Sequence, residues 1–106
     1  MNLGIFGSLL ALVLFSWDAP PAEDNISKVE IHISNTSTYD PAGQVIDAGL
    51  PPVVAGKQSF STMLDVSTPK WAWIQGRNSF GLSDPQAVGL KVGKPSPITG
   101  RTASPN

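Results

Sequence analysis

The sequence has no cysteine, a single histidine and little charge of either sign: seven Lys and Arg against eight Asp and Glu in 106 residues. No disulfide can staple the fold, no thiolate can hold a metal and no cysteine can serve as a nucleophile. His32 alone leaves little for acid–base work, and no cofactor, metal or catalytic residue is expected. The net charge of −1 gives no electrostatic footprint for a phosphate backbone, so nucleic acid is not an expected partner. Charged residues stand at 14% and hydrophobic ones at 41%, which is the composition of a globular chain and not of a disordered one. The length suits one small domain, whose core must hold by burial and pairing alone.

What charge there is divides unevenly. Residues 1–65 hold seven acids and two lysines, while residues 66–106 hold Asp84 against Lys70, Arg77, Lys91, Lys94 and Arg101. The mildly basic end reads as a solvated tail. From Lys94 to Asn106 the chain is rich in Pro, Ser, Thr and Gly with Ile98 as its one large apolar residue, too little to repay ordering. Residues 94–106 are therefore expected to form a disordered or extended tail.

The opposite end is apolar. From Leu3 to Trp17 no residue is charged, and three readings compete. A secretory signal would carry a basic residue ahead of its apolar run, and none precedes Leu3. A membrane-spanning helix needs about 20 apolar residues, more than this run supplies. The third reading is a buried strand, which periodicity alone does not separate from a helix. Retention of Met1 speaks against cleavage, and residues 1–9 are expected to be an edge strand or an anchor.

Between Trp17 and Lys94 the segments are short, β-rich and punctuated by turn residues, the pattern of a sandwich or barrel. Lys28 to Ser34 alternates, placing Val29, Ile31 and Ile33 on one face and Glu30 and His32 on the other, and so reads as a half-buried strand. Asp18 to Asn25 precedes it as a loop that Pro20 and Pro21 bar from any ladder. Tyr39 to Gly43 reads as a turn, Gln44 to Ala48 as a weak strand and Gly49 to Pro52 as a break. Ser59 to Val66 alternates again, and Trp71 to Arg77 carries apolar residues on both faces. Asn78 to Pro85 reads as a long turn, with a last strand over Gln86 to Val92. The count is six strands, or seven if the N-terminal run supplies two.

Three segments carry a family resemblance. Asn78-x-x-Gly81-x-Ser83-x-Pro85 resembles the turn between the last two strands of fibronectin type III domains. Ser16-Trp17-Asp18-Ala19-Pro20-Pro21 is similar to that family's second strand and the loop after it, and Asn25 to Ile31 is similar to its third. The resemblance spans about residues 10–92. It implies an all-β, immunoglobulin/fibronectin type III-like sandwich of antiparallel strands over residues 10–93. It also implies a first strand that is missing or reduced to Leu3–Phe6, leaving an edge for something else to cover. No Arg-Gly-Asp tripeptide is present, so no integrin-binding loop is implied.

Candidate chemistry is thin. His32 with Glu30 or Asp24 near Ser34 or Ser37 lacks an orienting group and an oxyanion site in the sequence, and an exposed strand histidine is the expectation. Asp18, Glu23 and Asp24 lack the spacing of a calcium loop and read as a solvated loop. Asn25-Ile26-Ser27 and Asn35-Thr36-Ser37 satisfy the N-glycosylation pattern, which has meaning only on a eukaryotic secretory route. Trp71 and Trp73 are interface candidates, since exposed aromatic pairs suit protein contacts; such rings also stack on sugars, though nothing else supports carbohydrate. The alternative is that one Trp lies in the domain's own core while a neighbouring loop partly covers the other. Leu12, Phe15 and Phe80 complete the interface candidates, because Leu12 to Phe15 is apolar on both faces.

The expected function is a non-catalytic structural or adhesive subunit of a larger assembly, its partners copies of itself or other subunits, in a phage or other virus particle. The rival is a membrane-anchored or secreted binding module of the cell envelope, with residues 1–17 as signal-anchor and membrane contact through residues 3–17.

Overall fold

The structure, a computed structural model, describes residues 9–95 and 97–105. Residues 1–8, and with them all of the expected N-terminal segment except Leu9, lie outside the described residues. Seven strands follow in order: β1 (Leu10–Asp18), β2 (Lys28–Ser34), β3 (Gln44–Gly49), β4 (Lys57–Asp65), β5 (Lys70–Asn78), β6 (Gly81–Leu82) and β7 (Leu90–Val92). The only helical element among the described residues is one 3-10 turn, Ala22–Asp24. The fold is all-β and antiparallel, in two open sheets that form a sandwich. One sheet pairs β1 with β4; the other runs β3-β2-β5-β6, with β7 also on β5.

Alternation sets the first sheet. On β1, Val13, Phe15 and Trp17 face inward, while Leu10, Leu12, Leu14 and Ser16 face out. On β4, Gln58, Phe60, Thr62 and Leu64 face inward, in line with the alternation of the sequence. The ladder runs without a shift from Leu10 opposite Asp65 to Asp18 opposite Lys57. It closes at the Ala19 N–H, which donates to the Gly56 carbonyl at 2.9 Å, after which Pro20 and Pro21 stop it. Ala55 and Gly56, both at positive φ, make the two-residue turn into β4, whose ends Val54 and Lys57 exchange backbone bonds of 2.8 and 3.1 Å.

The core lies between the sheets: Phe15 and Leu64 from one, Val29, Ile31, Ile33, Ala48 and Ala72 from the other. β2 departs from the half-buried strand expected of its alternation. It is central, paired on both sides, and every residue from Val29 to Ser34 is buried. Its second face, bearing Glu30 and His32, is covered by Tyr39 and by side chains of β5.

The last strand also departs from expectation. The long turn over Asn78 to Pro85 is a tight reversal: β5 continues to Asn78, Asn78 Oδ1 accepts the Phe80 N–H at 2.9 Å, and β6 returns at once. Gln86 to Gly89, expected in a strand, leaves the ladder, and only Leu90–Val92 rejoins β5. Two contacts account for this. The Gln86 carbonyl accepts the Trp73 indole N–H at 3.0 Å, and the backbone at Gly89 lies so near that a Cβ there would sit 2.9 Å from the indole. The seventh strand among the described residues is β6, within the segment expected as a long turn. Beyond Pro95, residues 97–105 hold no strand or helix and are all exposed.

Candidate interaction surface

The two-stranded sheet presents an apolar outer face. Leu10, Leu12 and Leu14 stand on it in a row, at 60, 70 and 66% exposure, with Leu9 before them. Met63, directly opposite Leu12, extends the row onto β4. No charged residue interrupts β1 before Asp18, whose carboxylate is held 2.6 Å from Lys57 Nζ. That contact lowers the Asp18 pKa, through the hydrogen bond first and the lysine charge second.

Among the described residues β1 has a neighbour on one side only, and the phase of its other side follows from the ladder. The Leu9 carbonyl accepts from the Val66 N–H at 2.8 Å, so odd-numbered residues of β1 direct their backbone groups to β4. Leu10, Leu12, Leu14 and Ser16 therefore direct theirs to the open edge, because backbone polar groups alternate sides along an antiparallel strand. A cavity of about 360 Å³ lies alongside the Asp18 end of this edge, between β1 and the region where the last strand leaves β5. Trp17, Pro20, Val29, Ile74, Val88 and Leu90 supply its apolar lining, and Asp18 is its single charged residue.

On the five-stranded sheet Glu30 and His32 are buried and paired. Glu30 receives the Arg77 Nε–H, with Arg77 Nη2 at 3.4 Å and Lys28 Nζ at 3.8 Å. His32 Nε2 lies 3.2 Å from the same carboxylate, which fixes Nε2 as the protonated nitrogen, since an ionised carboxylate only accepts. His32 Nδ1 and the Tyr39 hydroxyl are hydrogen-bonded at 3.4 Å, and Tyr39 meets Trp73 edge-on at 5.5 Å between ring centroids. The Glu30 pKa is lowered by the Arg77 hydrogen bond above all; burial opposes this, and His32 and the charges of Arg77 and Lys28 add to it. Glu30 raises that of Arg77 in return. No hydroxyl other than that of Tyr39 is hydrogen-bonded to the imidazole among the described residues, and the Ser34 hydroxyl is engaged with Thr36. The arrangement is a satisfied structural network. The expectation of an exposed strand histidine is corrected: His32 is buried because β2 is central.

The five interface candidates separate into groups. Phe15 and Trp73, at 3 and 2% exposure, are spent on the chain's own interior, so neither is presented to a partner. Phe15 points inward by the pleat, and Trp73 is roofed by Tyr39, Gln86 and Gly89. Trp71 is half-buried, with Lys91 Nζ 5.7 Å from its ring centre. Leu12 is exposed within the apolar row, and Phe80 is 97% exposed at the β5–β6 turn. The two tryptophans thus follow the alternative in which one is core and the other partly covered. Leu10, Leu14 and Met63 were not singled out, although Leu10 and Leu14 share the Leu12 face by period two. The cavity residues come from four separate segments and carry no local signal. Asn25, in the left-handed region at φ 51°, and Asn35, bonded to Lys70 Nζ at 2.7 Å, lie at the surface.

Fold and surface together define an open, antiparallel all-β sandwich with one incomplete sheet. No family model, curated protein or solved structure matches the chain.

Proposed function

We propose that this chain is a non-catalytic structural or adhesive subunit of a larger assembly, a fibronectin type III-like sandwich from that family's second strand onward. The observation that carries the reading is the two-stranded sheet: among the described residues, an edge without a neighbour beside a row of exposed leucines, with no charge before Asp18 and no proline or bulge to blunt it. Natural proteins protect such edges or use them, and an apolar patch of this kind marks an interaction surface. The network around Glu30 supports the non-catalytic half of the reading, because its histidine is buried and bonded to structural partners. A virus particle is the favoured setting, for a cysteine-free chain with more apolar strand surface than one copy hides.

The rival, residues 1–17 as a signal-anchor, would draw β1 and its core residue Phe15 out of the sandwich. No helix among the described residues is long and apolar enough to cross a membrane. Sedimentation of the full chain with and without Leu12→Asp tests the proposal. Concentration-dependent association lost in the variant, with the far-UV spectrum retained, is the expected result. A wild-type chain that stays monomeric to millimolar concentration, or that floats with lipid vesicles through Leu12, overturns it.

A further inference from the structure

We infer that the free edge of β1 is a strand-acceptor site, and that its occupant is an extended, uncharged segment of another polypeptide with aliphatic side chains at alternate positions. The inference rests on the assembly reading and names the kind of contact involved. Two observations converge on this occupant. The backbone groups of Leu10, Leu12, Leu14 and Ser16 face the open side in the phase that an added strand would pair with.

The cavity next to Ser16, Trp17 and Asp18 has a mostly apolar lining with Asp18 as its one charged residue, and Asp18 is ion-paired with Lys57. It lies alongside the Ser16–Asp18 end of the edge, where a side chain of an added strand would enter it. A charged residue there would be buried against Trp17, Ile74 and Leu90 without a partner, which is costly, and aliphatic residues fit. A lipid surface could cover the leucine row but would leave the edge groups unpaired.

The test titrates the isotope-labelled full chain with an acetylated nine-residue peptide of alternating valine and threonine, carrying a two-lysine tail for solubility. Saturable binding with amide shifts concentrated on Leu10–Asp18 and the Trp17 indole is the expected result. Ser16→Pro removes one edge-facing N–H and no bond to β4, and is expected to weaken binding at least tenfold. Peptides N-methylated at alternate amides give the same answer without altering the protein: methyl groups in one phase abolish binding, and in the other phase they leave it. Replacing the valines by serine is expected to abolish binding as well, through the cavity. Absence of binding, as would follow if another part of this chain or lipid covers the edge, overturns the inference. So do shifts on β3 or β4, and equal binding of both methylated peptides. Association that persists in Ser16→Pro while peptide binding is absent would remove the strand site and leave the assembly reading standing.

Discussion

The two sheets are built from similar alternating strands and end in opposite states. In the five-stranded sheet the central strand β2 has a neighbour on each side, and both of its faces are covered, down to a carboxylate and an imidazole. In the other sheet β1 is longer and more apolar, yet among the described residues it has one neighbour and one covered face. Position within the sheet, more than strand composition, decides what is buried. A polar residue on a central strand is drawn inside and must be paired, whereas a leucine on an incomplete sheet is left in water. The central strand of the five-stranded sheet is covered within the chain; the two-stranded sheet has the form of half an interface.

Substitutions separate the two regions by size of effect. Trp73→Ala, in the covered face, is expected to cost about 3–5 kcal/mol, read from urea denaturation. Leu12→Ala, on the open face, should change stability by no more than about 0.5 kcal/mol; equal losses at the two positions would erase the distinction. Glu30→Gln comes next, lowering the thermal midpoint at neutral pH by roughly 5 °C, because Arg77 and His32 lose their shared carboxylate. Its pH dependence has a definite sign. The folded pKa of Glu30 is lowered, so its stabilising contribution is fully present above the ordinary glutamate range and is lost as pH falls through the folded value. Acid unfolding profiles of wild type and Glu30→Gln should therefore converge below that range. Gly89→Ala, which sets a methyl 2.9 Å from the rigid Trp73 indole, should cost about 1–3 kcal/mol. Smallest in stability is Leu12→Thr, neutral by urea titration within about 0.5 kcal/mol, while association measured by sedimentation weakens.

The strands were legible wherever alternation and breakers coincide: β1 against Pro20 and Pro21, β3 against Gly49 and the prolines after it, β4 up to Asp65. Alternation reports which residues share a face, but not whether that face is covered, and this is why Glu30 and His32 were expected in solvent. The division of the last strand was hidden for a related reason. Gln86 to Gly89 leaves the ladder because of Trp73, thirteen residues before Gln86, and nothing local announces that contact. Of the candidate surface, Leu12 was legible from the apolar run around it. The cavity was not, since Trp17, Val29, Ile74 and Val88 meet only when the sheets pack.

Amide hydrogen exchange along β1 in the dilute, monomeric full chain tests the central claim most directly. The amides of Ala11, Val13, Phe15 and Trp17, directed to β4, should exchange slowly, and those of Leu12, Leu14 and Ser16, directed to the open edge, should exchange fast and become protected when the chain assembles. Protection of Leu12, Leu14 and Ser16 already in the monomer would mean that the sheet is complete within one chain, and would contradict the account.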